Sequence, residues 1–338
     1  MLSLVGSNDS LESHSETPLL EVTDLTKTFS IGGGMFYEPL QLHAVSGVSI
    51  RIEKGKTLGI VGESGCGKST LSRMLAGLTP STSGSILLDG RDVTKLQGAE
   101  RKRVLRDVQM VFQSPYSSLN PRMRVAEIVR EPLDVHIRSL PKREREERAL
   151  QILDRVGISR EMARRFPHQL SGEQQQRVGI ARALVSEVRL VICDEPVSAL
   201  DVSVQAQVIN LLRELQRSLG VAYIFVSHDL AVVANISDDI AVMYLGKIME
   251  YGRAEDVLQR PRHPYTQALV DSANIPDPVL EKSREPRILT GEIPRPTDPP
   301  SGCRFRTRCW MAQERCAVEV PALIPRANSP QATACHFA

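Results

Sequence analysis

The sequence contains no run of the roughly 18 to 20 uncharged apolar residues that a bilayer-crossing helix needs, which excludes a helical membrane-spanning subunit. Its start, Met1 to Ser10, lacks the basic stretch and long apolar stretch of a secretory leader, so the chain is expected to stay on the cytosolic side. Excess charge is missing too: 42 Lys and Arg against 40 Asp and Glu leave a formal net charge of +2. A nucleic-acid-binding chain would usually carry a basic stripe, so no nucleic-acid partner is expected. Cysteines number only 6 and are unevenly placed. Cys66 and Cys193 lie alone, while Cys303, Cys309, Cys316 and Cys335 crowd the last 36 residues. A reducing cytosol disfavours a disulfide framework, so the late group reads first as metal ligands.

What is present is ordinary in bulk, with 41% hydrophobic and 24% charged residues. The 338 residues suffice for two domains, or for one with an extension. Residues 1–18 are rich in Ser, Glu and Asn and are expected to be a poorly ordered tail. Four short apolar runs follow: Leu58–Val61, Leu190–Cys193, Ile224–Val226 and Ile240–Tyr244. Such runs suit strands buried on both faces of a parallel sheet. Val204, Val208, Leu211, Leu212, Leu215 and Leu219 recur at helical spacing, with Asp201 or Ser203 to cap the start and Gly220 the end. Ala149, Ile152, Leu153 and Val156 mark another helix, whose outer face Lys142–Arg148 reads as a solvated charge run. Strands alternating with helices indicate an α/β fold with a parallel sheet. Residues 114–188 interrupt that alternation as a mostly helical insertion. After about Pro276, Pro, Arg and Cys dominate, which places a boundary there. The expected domains are therefore 19–275 and 276–338 behind the tail.

Gly62, four residues, then Gly67-Lys68-Ser69 form a P-loop pattern. The chemistry requires these residue types. Glycines let the backbone wind around phosphate oxygens with its N–H groups pointing inward, and the next helix presents its positive end to the anion. The whole stretch Gly62, Glu63, Ser64, Gly65, Cys66, Gly67, Lys68, Ser69 and Thr70 is thus expected to contact ATP. Lys68 supplies charge to the β- and γ-phosphates, and the Ser69 hydroxyl ligates Mg²⁺. Cys66 reads as a tolerated small residue, not a catalyst, and as a thiol that ATP protects. Downstream, an apolar strand ends in Asp194-Glu195. A carboxylate at a strand end suits Mg²⁺, and the next one suits polarising the attacking water. Cys193 reads as a small strand residue.

With Leu170-Ser171-Gly172-Glu173-Gln174 the sequence resembles the ATP-binding cassette family, whose signature is normally Leu-Ser-Gly-Gly-Gln. Gln113 matches that family's Q-loop, Ser198-Ala199-Leu200-Asp201 its D-loop and His228 its switch histidine, all in family order over about Leu19 to Asp271. The resemblance implies a P-loop NTPase fold, a RecA-like core with a helical subdomain. It also implies roles. Asp194 and Gln113 join Ser69 at Mg²⁺, and Glu195 is the base. His228 contacts the γ-phosphate, and Ser171, Gly172, Glu173 and Gln174 clasp ATP held by an opposing subunit, with Asp201 beside them. Glu173 departs from the usual glycine and weakens the clasp unless its side chain points away. An aromatic upstream stacks on adenine: Phe29 first, with Phe36 and Tyr37 as rivals.

Ser114-Pro115-Tyr116-Ser117-Ser118-Leu119-Asn120-Pro121-Arg122, the stretch Glu195 to Gln207 and His263-Pro264-Tyr265-Thr266 are similar to ATPases of dipeptide and oligopeptide permeases. The cysteine-rich tail resembles their carboxy-terminal extension, which in some members carries an iron–sulfur cluster. Four thiolates suit a [4Fe–4S] cluster, with Arg304, Arg306, Arg308 and Arg315 to offset its charge; zinc and free thiols are the alternatives. This resemblance implies a peripheral ATPase on the cytoplasmic face of the membrane. Its partners would be two transmembrane permeases, an extracytoplasmic substrate-binding protein and a second ATPase, a paralogue in preference to a copy. Peptide is the implied cargo, with nickel or another small solute as the alternative. A soluble cassette ATPase acting on DNA or ribosomes would show a long coiled-coil insertion or two cassettes, and neither is present. A non-hydrolysing regulatory module is opposed by Glu195 and His228.

Overall fold

The computed structural model describes residues 17–32, 39–114, 118–198, 200–272, 289, 291–326 and 329–338. Its strands are β1 Leu20–Ile31, β2 Leu40–Ile52, β3 Thr57–Val61, β4 Ser83–Leu88, β5 Arg91–Asp92 and β6 Val108–Val111. Then come β7 Leu190–Asp194, β8 Ala222–Ser227, β9 Asp239–Tyr244, β10 Lys247–Arg253, β11 Ile324–Arg326 and β12 Ser329–Thr333. The helices are α1 Lys68–Leu75, α2 Gly98–Leu105, α3 Val125–His136, α4 Lys142–Arg155 and α5 Gly172–Leu184. They continue as α6 Val202–Leu219, α7 Leu230–Ile236, α8 Ala254–Gln259, α9 Pro264–Ser272 and α10 Glu314–Val318.

The four apolar runs become β3, β7, β8 and β9. Every residue of β3, β7 and β8 is buried, as a strand covered on both faces must be. One sheet holds them in the order β11-β12-β10-β9-β3-β8-β7-β6. From β9 to β6 all neighbours are parallel. The other edge, β10, β12 and β11, is antiparallel, so the sheet is mixed. A second sheet, β2-β1-β4-β5, is wholly antiparallel and corrects the expectation of a parallel sheet alone. In β1 the apolar alternation is broken by bulges between Val22 and Thr28, which hides a half-covered strand from a pattern reading.

Residues 118–184 form the helical insertion. Val125, Ile128, Val129 and Leu133 of α3 and Ala149, Ile152 and Leu153 of α4 are buried. The charge run is the exposed face expected of it, with Arg148 paired to Glu144 and Glu187, and Arg130 to Glu146. Gly157 (φ 78°) and Gly220 (φ 67°) end α4 and α6 in the left-handed region, where glycine carries no Cβ penalty.

The described part of the tail is joined to the cassette. In β12, Thr333 pairs with Glu250 and Ala332 with Tyr251 of β10. Phe305 is fully buried, with ring centres 5.3 Å from both Tyr244 and Tyr265. Cys303, Phe305 and Cys316 share one apolar cluster with residues of β7, β8 and β9. The boundary expected near Pro276 and nearly all of the expected disordered tail lie outside the described residues.

Candidate functional site

Four neighbouring parallel strands deliver the candidate residues at their carboxyl ends. After β3 comes the P-loop, after β8 His228, at β7 Asp194 and Glu195, and after β6 Gln113. That end of an α/β sheet is where ligands bind, because helix N-termini and loops converge there.

The loop lies tight against other backbone. A Cβ on Gly62 would stand 2.1 Å from the Met243 carbonyl oxygen, and one on Gly67 (φ 108°) 2.1 Å from that of Ala44. No other residue fits either position. Ser64 and Gly65 are exposed at the tip, and Ser69 and Thr70 are half-buried. Lys68 is 4% exposed, and its Nζ donates to the carbonyls of Gly62 (2.7 Å) and Glu63 (2.9 Å). The Glu63 side chain is taken up by Arg308, leaving its backbone to line the loop. Cys66 is buried, and burial pushes its thiol up, which suits a filler and not a nucleophile.

Ser69 Oγ donates to Asp194 Oδ1 at 3.1 Å. These two, with Gln113, are the residues that would hold Mg²⁺. The set fits that ion, which typically takes one or two carboxylates and completes its shell with phosphates and water. Glu195 follows at φ 49°, in the left-handed region that a side chain rarely adopts, with its N–H donating to the Val226 carbonyl at 2.9 Å. Its carboxylate accepts one hydrogen bond, on Oε2, and turns Oε1 toward His228. Gln113 Nε2 donates to Oε2 at 2.7 Å, and His228 Nδ1 lies 3.6 Å from Oε1. A strained backbone position fixed by neighbours is how reactive groups are kept in place. The structure thus brings Lys68, Ser69, Gln113, Asp194, Glu195 and His228 to one end of the sheet.

The signature stands apart, on the helical insertion. Ser171 caps α5: its Oγ accepts from the Gln174 N–H at 3.2 Å, and the Gln174 side chain accepts from the Ser171 N–H at 3.1 Å. Ser171 and Gly172 are exposed at this helix start, open to an anion brought by another molecule. Glu173 turns back along α5 to Arg177 (2.8 Å), which also donates to the Val156 carbonyl, so the departure from glycine is neutralised within the chain. Asp201 is exposed ahead of α6, and Ala199 lies outside the described residues. Phe29 sits in β1 opposite Leu42, with Lys27 Nζ 4.9 Å from its ring centre. Its rivals Phe36 and Tyr37 lie outside the described residues, as do Pro115, Tyr116 and Ser117.

The tail thiols share a neighbourhood. Cys303, Cys316 and Cys335 are buried and Cys309 is half-buried. Burial first, then the other three thiols, push Cys309 up to about 11, and Cys303 is raised by burial with Cys316 and Cys335 adding. Yet among the described residues no three His, Cys, Asp or Glu side chains are arranged to hold a metal ion. The arginines enlisted to offset a cluster are engaged elsewhere: Arg304 with Leu245 and Ser46, Arg306 with Ser301, Arg308 with Glu63, Arg315 with Glu319. The geometry does not carry the iron–sulfur expectation.

His263-Pro264-Tyr265-Thr266, which marks a branch by likeness alone, has a physical role. His263 is buried and neutral, pushed down to about 3 by burial, and its Nδ1 accepts from the Tyr265 N–H at 3.1 Å. Tyr265 Oη in turn accepts from the Glu63 N–H at 2.9 Å, inside the phosphate loop. No spacing rule links residues 202 positions apart, so this partner of the loop is invisible in sequence.

Burial also raises the Asp194 carboxyl above the usual carboxylate range, with the Ser69 hydrogen bond offsetting part of the effect. A carboxyl raised by folding binds its proton more tightly in the folded chain. Its ionisation therefore lowers stability as pH climbs from the ordinary carboxylate value through the raised one. Asp194→Asn is expected to raise the thermal midpoint of the nucleotide-free protein at pH 7. It should also cut Mg²⁺-dependent hydrolysis by about 10- to 100-fold or more. A lowered midpoint or undiminished turnover would contradict this reading.

The model of the ABC transporter family matches residues 45–198, and that of the oligopeptide/dipeptide transporter C-terminal region matches residues 249–316. The chain is 49% identical over 308 residues to the oligopeptide transport ATP-binding protein OppF of Salmonella typhimurium, covering 90% of this chain and 92% of that one. It is 45% identical over 322 residues to the di/tripeptide transport ATP-binding protein DppF of Pseudomonas aeruginosa, covering 95% and 98%. A dimeric ATP-binding cassette solved in a post-hydrolysis state with ADP and Pi superposes with a TM-score of 0.62 at 30% identity, covering 70% of this chain and 98% of that one. The cbiO1 subunit of the cbiONQ transporter complex of Clostridium perfringens gives 0.63 at 30%, covering 72% and 92%. The chain belongs to the ATP-binding cassette ATPases, in the group of oligopeptide and dipeptide transport ATP-binding proteins.

Proposed function

We propose that this chain is the ATP-hydrolysing subunit of an importer of di- or oligopeptides. The observation that carries the hydrolytic part is the carboxylate of Glu195, which accepts a hydrogen bond from Gln113 and faces His228 beside the phosphate loop. In this arrangement Lys68 and the loop N–H groups bind the β- and γ-phosphates and orient the terminal phosphoryl group. Glu195 takes the proton of the attacking water, and His228 keeps that carboxylate and the γ-phosphate in register. Ser69, Asp194 and Gln113 would hold Mg²⁺, which would supply positive charge to offset that of the phosphates.

The exposed Ser171–Gly172 helix start is expected to complete the site of a second ATPase subunit, a paralogue in preference to a copy. A dimeric post-hydrolysis relative supports the two-subunit arrangement. For the permease partners, the supporting feature is a cleft beside Gln113, between sheet and insertion. Leu78, Phe112, Pro132 and Val135 line it, and Leu78 and Val135 are exposed. Among the described residues no helix is long and apolar enough to cross a membrane, which suits a peripheral subunit on the cytoplasmic face. An extracytoplasmic binding protein would deliver the cargo. The domain reading is retained as a cassette over 19–275 carrying a cysteine-rich extension over 276–338.

Peptide cargo rests on the names of the relatives, and nickel or another small solute is the alternative. Cells lacking this chain are expected to lose uptake of a labelled tripeptide and to keep nickel uptake. Loss of nickel uptake alone would overturn the peptide assignment. For the tail, the nearness of the four thiols supports a bound [4Fe–4S] cluster as the finer reading, with zinc or free thiols as the other states. No step of hydrolysis runs through it. Iron and acid-labile sulfide at about four each per anaerobically purified chain would bear the cluster out, and zinc alone or no metal would remove it.

A further inference from the structure

Arg308 lies in the tail between Cys303 and Cys309, and Glu63 is the second residue of the phosphate loop. Across 245 positions the guanidinium grips the carboxylate with two bonds, Nη1 to Oε2 at 2.7 Å and Nη2 to Oε1 at 3.0 Å. The arginine side chain is 6% exposed and the glutamate 22%, so water screens the pair little. The guanidinium also stands 5.9 Å from the Tyr244 ring centre. Tyr244 packs on Tyr265 (4.8 Å between ring centres), whose Oη accepts from the N–H of the same Glu63. One loop residue is therefore held twice, by its side chain and by its backbone, and both partners come from beyond the cassette motifs.

The chemistry of the loop gives this grip a purpose. A carboxylate in a loop built to surround a triphosphate opposes the very charge it must hold. Removing the carboxylate would be one solution; pairing it with a fixed cation is another. Glu250 ties the surrounding elements together. Fully buried, it accepts from the N–H groups of Arg262 and His263 and from Gln331 of β12, so tail strand, His-Pro-Tyr-Thr segment and β10 form one block behind the loop.

We infer that Arg308 is a positioning residue for ATP, by which the carboxy-terminal extension neutralises Glu63 and fixes the phosphate loop. The inference rests on the loop Gly62–Thr70 being the nucleotide site. It makes the extension part of the ATP-binding machinery and not a separate accessory.

Steady-state Mg-ATP hydrolysis by the full-length chain tests it, with thermal midpoints recorded for each variant. Arg308→Gln is expected to raise KM for ATP about tenfold, equivalent to ~1.4 kcal/mol, with kcat within about twofold. Adding Glu63→Gln to that variant should bring KM back to within about threefold of the parent, because the unpaired carboxylate is gone. A merely structural brace would show no such recovery, since the second change restores no contact. If Arg308→Gln does not fold, Arg308→Lys serves: it keeps the charge, loses the two-pronged geometry, and should hold KM within about threefold. An unchanged KM in Arg308→Gln, an unrescued double variant, or a tenfold loss in Arg308→Lys overturns the inference. Each of these leaves ATP binding at the loop standing, whereas a parent chain that does not bind Mg-ATP would remove both.

Discussion

Everything in this molecule depends on holding a short stretch of backbone so that its N–H groups and one ammonium converge on a point of high negative charge. Free backbone does not hold such a shape, because like dipoles crowd together and an unpaired buried cation is costly. The fold answers with close contact. Gly62 and Gly67 lie against the carbonyls of Met243 and Ala44 at distances no side chain could enter. Lys68 rests on carbonyls of its own loop. The parallel sheet then supplies what a loop alone lacks, a rigid edge from which Ser69, Asp194, Glu195, Gln113 and His228 are aimed together.

The site is nonetheless half a site. Ser171 and Gly172 present helix donors to solvent from the insertion, while the acidic and cationic groups sit at the strand ends of the core. On the proposed two-subunit reading, hydrolysis is conditional on assembly, with the donors that complete the phosphate cage arriving on another subunit. Glu173 fits the same logic. Its pairing with Arg177 offsets the negative charge it brings to the start of α5.

Much of this was legible in the sequence. The apolar runs ending in Val61, Cys193, Val226 and Tyr244 announced buried parallel strands, because two-sided burial leaves no room for polar alternation. Local motifs such as Gly67-Lys68-Ser69 are short-range chemistry and read directly. What stayed hidden was long-range or irregular. The antiparallel sheet is masked by bulges in β1. The tail looked like a separate body by composition, yet β12 extends the main sheet through a pairing that sequence does not encode locally. His263 and Tyr265 carried a family likeness without a reason until Tyr265 was found on the Glu63 N–H. The cysteines stand between these cases: composition suggested ligands, and the fold brings the four thiols near one another, but among the described residues no set of three is arranged to hold a metal ion.

The claim on which the rest stands is that Gly62–Thr70 is the nucleotide site. Its most direct test is equilibrium binding of a fluorescent ATP analogue, with Mg²⁺, to the parent chain and to Lys68→Ala. The account predicts saturable binding to the parent and a loss of affinity of about tenfold or more, ~1.4 kcal/mol, in the variant. Equal affinity in the two proteins would contradict it.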